Sequence, residues 1–196
     1  MLTLAFDTAT RTATSALVWD GEVLGELASS AVTVLEDVDA LFRRGGVRPA
    51  QLEGIVVGTG PGSFTGLRMG VATARALAFS LDVPLAGVST LAALAAGSPG
   101  ALAVIDARRS EVFVLDGEPR VLRPEQVDVR GRVCVGDGAV RYRVTLEEHG
   151  AEIPPDADPV HVPHARFHVQ LADRFGLAEE VEPVYLRAPD AKPSVS

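Results

Sequence analysis

The stretch LTLAFDTATRTATSALVWDGEVLGEL, residues 2–27, decides the architecture of the first half of the chain. Its apolar and β-branched residues fall into three runs, at 2–7, 13–19 and 22–27, in the pattern typical of β-strands. Asp20-Gly21 joins the second and third runs. It is a strong hairpin signal, because both central residues of a type I′ turn need positive φ. The stretch therefore predicts an antiparallel three-stranded meander.

Helices and further strands follow this meander. An apolar face at period 3.6 predicts a helix over about Thr33–Arg44, which Gly45-Gly46 ends. A β-branched run at Leu52–Gly58 predicts a buried strand. A glycine-rich turn then leads into a helix that continues to about Leu81, and Pro84–Ser89 returns as a strand. The alternation of strands and helices predicts an α/β fold with mixed sheets flanked by helices.

The second half of the chain repeats landmarks of the first half in the same order. An acid at the end of a strand, a hairpin glycine and a strand-ending glycine recur at Asp7 and Asp106, Gly21 and Gly117, and Gly58 and Gly136. We predict two related lobes, residues 1–99 and an abbreviated 100–196. A helix is predicted at 165–175, and its packing back on the N-terminal lobe is left open. A frayed tail is predicted at 190–196.

Composition limits the classes of partner. The chain has 196 residues, of which 47% are apolar, and a net charge of −8. Residues 1–100 carry six arginines against nine acidic groups, and residues 101–196 carry twelve basic against seventeen acidic groups. Neither half therefore offers the basic surface that a phosphate backbone requires. No apolar run reaches the length of a membrane span. A single cysteine, Cys134, fits a reducing compartment, and the cytoplasm is the expected location.

Two segments are candidates for a phosphate or nucleotide site. Asp7-Thr-Ala-Thr10 lies between two predicted strands, where an acid and hydroxyls either hold a ligand or only satisfy backbone donors of the turn. The glycine turn at 58–66 enters a helix, whose N-terminus attracts anions. It lacks the lysine of a P-loop, and its glycines also permit close packing. The candidate residues are Asp7, Thr8, Thr10, Gly60, Gly62 and Ser63.

The histidines and the cysteine give weaker signals. His161, His164 and His168 cluster, and the last two have the i, i+4 spacing that presents imidazoles to a metal. No nearby carboxylate or cysteine completes a ligand set, so we predict no metal site. Cys134 lies in an apolar strand and is predicted to be buried and inert. We predict no catalytic residue, and no carboxylate pair is placed for acid–base work.

Four motifs resemble those of the TsaB (YeaZ) family over nearly the full chain. They are Phe6–Thr10, Ile105–Arg108, Pro183–Arg187 and the highly specific Gly58-Thr-Gly-Pro-Gly-Ser-Phe-Thr-Gly-Leu-Arg68. The resemblance implies an actin/Hsp70-like two-lobe fold. It also implies membership of the bacterial assembly that transfers threonylcarbamoyl to N6 of adenosine 37 in ANN-decoding tRNAs. The implied partners are the catalytic paralogue TsaD and the P-loop ATPase TsaE, with tRNA reached only through the complex.

The same resemblance implies that this chain is a non-catalytic subunit. The catalytic paralogue carries a metal-binding His-x-x-x-His, and the matching positions here are Thr90 and Leu94, which cannot hold that metal in the same way. No cofactor is required, and binding of ATP or ADP stays open. The alternative is an autonomous enzyme of the same fold, an ATPase, kinase or peptidase that uses the Asp7 loop.

The expected partner surface is the apolar face of the first helix together with a ridge of small residues on the second. Such a ridge lets another helix approach closely, and without the partner the same surface is expected to form a homodimer. The predicted interface residues are Val34, Val38, Leu41, Phe42, Gly66, Gly70, Ala74 and Ala78.

Overall fold

A computed structural model describes residues 1–187, so the tail predicted at 190–196 lies outside the described part. The chain builds two β-sheets, one from each half. The strands are β1 Leu2–Asp7, β2 Ala13–Trp19, β3 Glu22–Ser29, β4 Gly54–Gly60, β5 Leu85–Ser89, β6 Leu102–Arg108, β7 Glu111–Asp116, β8 Glu118–Leu122 and β9 Cys134–Val135. The helices are α1 Val34–Gly45, α2 Phe64–Leu81, α3 Thr90–Gly97, α4 Asp137–Arg141, α5 Arg143–Glu148 and α6 Ala165–Leu171.

The first sheet has the strand order β3-β2-β1-β4-β5. Its first three strands pair antiparallel, which confirms the predicted meander, whereas β4 and β5 are parallel to β1. Asp20 and Gly21 both have positive φ, 48° and 85°, as a type I′ hairpin requires. The sheet is therefore mixed, as the sequence predicts.

Helices cover both faces of this sheet because the strands present apolar side chains to both. Helices α1 and α2 lie on the face that carries Leu4, Phe6 and Leu17, the largest core cluster of the N-terminal half. The opposite face is built from small residues such as Ala5 and Ala16, and α6 packs there. Helix α3 lies between α6 and β6 and so connects the two halves.

The second sheet repeats the topology of the first in fewer residues. Its order, β8-β7-β6-β9, matches β3-β2-β1-β4 strand for strand, which confirms the internal repeat. The abbreviation is largest at β9, which has only two residues. A separate apolar core lies under this sheet, around Leu102, Val104 and Leu146.

Helix α6 ends earlier than the sequence predicts, at Leu171 rather than residue 175. The chain leaves the helix because the following residues pair with the first sheet. Gly176 exchanges two backbone hydrogen bonds of 3.0 Å with Leu85, and the ring of Phe175 lies over Gly54. Among residues 1–187, no helix is long and apolar enough to span a membrane.

Candidate functional site

A cleft of about 340 Å³ lies between the two sheets. One wall is the β1–β2 loop at residues 9–11 together with the first turn of α2. The opposite wall is the end of β6 with Asp106 and Arg108, and residues 184–187 close one side. The wall at Thr10 and Asp106 also borders a second cavity of about 390 Å³. The cleft therefore lies between segments that follow strands of the two lobes.

Asp7 does not line this cleft, so its predicted role in ligand binding stays a prediction without support from its position. Its carboxylate is 1% exposed and accepts three hydrogen bonds inside the N-terminal lobe. His168 Nε2 and Thr90 Oγ1 each lie 2.7 Å from Oδ2, and the backbone N–H of Ala9 lies 2.7 Å from Oδ1. A buried carboxylate needs such partners because an unpaired charge in the interior is strongly unfavourable. The internal donors therefore occupy the group that the sequence assigned to a ligand.

Thr8 is also buried, so its position gives no support to its assignment to the site. Its hydroxyl donates to the carbonyl of Gly66 at 2.7 Å, and this bond ties the β1–β2 loop to α2. Gly60 is buried as well, beneath Leu67 and the backbone of Val184, and it does not line the cleft. Three of the six predicted residues therefore lie behind the wall of the cleft.

The other three candidates, Thr10, Gly62 and Ser63, do line the cleft. Gly62 packs against the carbonyl of Ala9 so closely that a methyl group would overlap it. Ser63 caps α2, because its side chain accepts from the N–H of Gly66 at 3.3 Å. The glycine turn thus has the packing role that the sequence left open, and it also forms the cleft wall.

Sequence reasoning missed a pair of carboxylates on the opposite wall. Asp137 accepts the backbone N–H of Asp106 at 3.0 Å. Burial raises the pKa of Asp137, against hydrogen bonds from the N–H groups of Asp106 and Arg11, and the Asp106 charge raises it further. The Asp106 carboxylate is bracketed by Arg108 and Arg141, at 3.4 and 3.5 Å. The strand-ending Gly136 of the repeat directly precedes Asp137 and is the sequence signal that could have located this acid.

The residues of the predicted partner interface are not exposed in the chain, and the interface itself stays a prediction. All eight side chains or glycines are buried within the chain itself. Val34, Val38 and Leu41 pack on the first sheet, because the apolar face of an amphipathic helix is the face its own core takes up. Gly66 and Gly70 of α2 pack against Thr8 of the β1–β2 loop, where a methyl group at Gly70 would overlap the Thr8 hydroxyl, and Ala74 and Ala78 pack in the core of the first sheet.

The outward surfaces of α1 and α2 carry different residues. Phe79 on α2 is 88% exposed, and Leu35 on α1 is 55% exposed. Val32, in the turn before α1 that contacts α2, is 78% exposed. Ala72 and Ala76 are also exposed on α2. We call these five residues the outer face; an apolar surface of this kind is typical of an interaction site.

The three clustered histidines have separate partners. His161 accepts from the N–H of Gly136 and contacts the carbonyl of Pro154, both at 3.1 Å. His164 binds Glu26 at 3.1 Å, and His168 binds Asp7. Within residues 1–187, no group of three or more His, Cys, Asp or Glu side chains is arranged to hold a metal ion.

Cys134 is buried, as predicted. Burial raises the pKa of its thiol to about 11, so the reactive thiolate is scarce at neutral pH. The prediction of a buried cysteine is confirmed, and its low reactivity stays a prediction.

Comparison with known proteins agrees with the motifs. The family model of TsaD, tRNA N6-adenosine threonylcarbamoyltransferase, matches residues 23–136. The chain is 34% identical to the tRNA threonylcarbamoyladenosine biosynthesis protein TsaB of Escherichia coli, over 95% of each chain. The solved structure of YeaZ from Pseudomonas aeruginosa superposes with a TM-score of 0.78 at 30% identity, covering 94% of this chain and 99% of that one.

A more distant structure shares the fold alone. An activator of 2-hydroxyisocaproyl-CoA dehydratase from Clostridium difficile, solved with bound ADPNP, superposes with a TM-score of 0.51 at 13% identity. It covers 94% of this chain. The two related lobes therefore have the architecture of actin-like ATPases. With the motifs, the repeated sheets and these relatives in agreement, the chain belongs to the TsaB (YeaZ) family of tRNA threonylcarbamoyladenosine biosynthesis proteins.

Proposed function

We propose that the chain is a non-catalytic, partner-binding subunit of the complex that transfers threonylcarbamoyl to adenosine 37 of tRNA. The observation that carries this proposal is the state of Asp7. The acid at the end of β1 is bound by His168 and Thr90 of its own chain, so it is not available to a ligand in the cleft. A chain that had to position a substrate there would keep this carboxylate accessible.

The positions that match the metal ligands of the paralogue support the same proposal. Thr90 is 0% exposed and donates to Asp7, whereas Leu94 is 1% exposed in the core between the lobes. Leu94 has no donor atom, and the Thr90 hydroxyl is already committed inside the protein. These side chains stabilise the fold, and neither is suited to bind a catalytic ion.

We propose that the outer face of α1 and α2 is the surface that binds the catalytic paralogue TsaD. The TsaD family model spans both helices, so a TsaD protein is expected to present related helices of its own. Two related surfaces can pair about a pseudo-twofold axis, and two copies of this chain can do so when the paralogue is absent. We further propose that TsaE joins this pair in the cytoplasm and that the lobe boundary lies near residue 99.

Reconstitution tests this function. We expect modification of an ANN-decoding tRNA by TsaD, TsaE and a source of threonylcarbamoyl-AMP to require this chain. Phe79→Asp should abolish co-elution with TsaD on size exclusion, because it places a charge in the apolar contact. Val144→Asp is the matched control, since Val144 is 69% exposed on the other lobe. Full modification without this chain would contradict the proposal.

The rival function is an autonomous enzyme of the same fold. The cleft between the lobes favours it, because its wall includes Thr10, the α2 N-terminus and Arg108, groups that suit a phosphorylated ligand. Turnover of ATP by the purified chain, lost in an Arg108→Ala variant, would support this rival. Binding of ADP without turnover would leave the non-catalytic proposal intact and would add a nucleotide as a structural ligand.

A further inference from the structure

The segment Glu182–Arg187 crosses from one lobe to the other without forming a helix or strand. We call it the strap. On the side of the first sheet, the N–H of Val184 donates to the carbonyl of Thr59 at 2.8 Å. On the side of the second sheet, Arg187 binds Glu111 on β7 at 2.6 Å. Residues 184–187 line the cleft, so the strap is one of its walls.

Two arginines of α2 hold the strap. Arg75 donates to the carbonyl of Val181 at 2.6 Å and to that of Glu179 at 3.1 Å, which fixes the point where the strap begins. Arg68 donates to the phenol oxygen of Tyr185 at 3.3 Å. Both arginines belong to the helix that carries most of the outer face. Helix α2 therefore connects the proposed partner surface with the cleft.

The hold at Tyr185 is the weaker one. Arg68 is exposed and stacks on the Phe64 ring at 4.1 Å, and Tyr185 packs on the same ring at 5.2 Å. A neutral phenol is a poorer acceptor for a guanidinium than a carboxylate is. A partner that presents an acidic side chain beside the outer face would take Arg68 away from Tyr185. The strap would then lose one of its few side-chain contacts.

We infer that the strap is a gate of the interlobe cleft and that a partner seated on α2 opens it by capturing Arg68. The inference rests on the proposed function, since it assigns a regulatory consequence to the same surface. Opening would uncover Phe113, which is 6% exposed and packs beneath Leu186. Exposure of this ring is therefore a direct report of the position of the strap.

The first experiment uses the isolated chain. Arg68→Ala should raise hydrogen exchange over residues 182–187 about tenfold, since one net hydrogen bond of about 1.4 kcal/mol corresponds to a factor of ten in an opening equilibrium. Hydroxyl-radical labelling of Phe113 should rise with it. Tyr185→Leu should have the same effect through the other partner of that bond. Arg43→Ala is the control, because Arg43 is exposed on α1 and pairs only with Asp39 among the described residues. Unchanged exchange and labelling in both strap variants would overturn the gate.

The second experiment adds TsaD to the wild-type chain. Complex formation with at least threefold faster exchange of the strap would support the coupling, and Arg68→Ala should abolish that difference. A complex that leaves strap exchange unchanged would refute the coupling but not the proposed function. If no complex forms, both the proposed function and the coupling are refuted. The first experiment, on the isolated chain, still decides whether the strap is a gate.

Discussion

Removal of the His168 ring should destabilise the N-terminal lobe more than any single surface change. His168 is 0% exposed, and among the described residues His168→Ala leaves the buried Asp7 side chain with Thr90 and the Ala9 amide as hydrogen-bond donors. A buried polar group that loses its partner costs about 1–3 kcal/mol, and the cavity left by a fully buried ring adds a similar amount. The free energy of unfolding should therefore fall by about 4 kcal/mol.

Urea unfolding followed by fluorescence measures this loss in the correct lobe. The chain has one tryptophan, Trp19, at the end of β2, so its emission reports the first sheet. With a slope of about 2 kcal/mol per M, the expected loss lowers the unfolding midpoint by about 2 M. His149→Ala is the control, because His149 is exposed and its removal should change stability by at most about 0.5 kcal/mol.

A double variant separates the pair from the packing of the ring. Asp7→Asn/His168→Gln replaces both hydrogen-bonded side chains with amides, so its loss should be clearly smaller than the sum of the losses of Asp7→Asn and His168→Gln. The reasoning is refuted if His168→Ala unfolds within about 1 kcal/mol of the parent. It is also refuted if the two single losses simply add.

Three further predictions concern other contacts of the chain. Gly70→Ala should destabilise the fold by about 1–3 kcal/mol in the same assay, because the added methyl group overlaps the Thr8 hydroxyl; a neutral change would contradict this packing. Cys134 should react with a thiol reagent such as DTNB only after unfolding, because its pKa is raised to about 11 and it is buried; rapid reaction of the folded chain would contradict this. Burial alone would raise the pKa of Glu26, but hydrogen bonds from His164 and the Arg166 amide outweigh it and lower it. The Glu26 contribution should therefore be present above the unfolded-state pKa and lost as pH falls through the lowered value, and Glu26→Gln should flatten the acid limb of stability against pH.

The strands and the repeat were predictable because local patterns determine them. Alternation over residues 2–27 and the Asp20-Gly21 turn need no tertiary information, and the structure reproduces both. The end of α6 was not predictable in this way. Its helical pattern runs to residue 175, but Gly176 pairs with β5, and that contact is set by the whole fold.

The position of the Asp7 side chain could not be predicted, because it depends on tertiary contacts. Sequence shows that Asp7 follows a strand, but it does not show which way the carboxylate points or that His168, 161 residues later, reaches it. The residues of the interface prediction are buried for a similar reason. The apolar face of α1 is the most evident feature of its sequence. Because burial of apolar side chains stabilises the fold, this face packs in the chain's own core. A partner surface has to be sought among exposed residues such as Phe79, which periodicity does not single out.

The two acids that the repeat placed in register now differ in role, and the difference bears on function. Asp7 is buried and hydrogen-bonded to a histidine, whereas Asp106 faces the cleft between two arginines. The histidine comes from α6, a helix of the second half that packs on the first sheet. Binding of α6 therefore removes from the cleft the one carboxylate that β1 could offer, and at the same time fastens the two halves together. One contact thus withdraws this carboxylate from the cleft and holds α6 on the first sheet, and both effects support the proposed role of a partner-binding subunit.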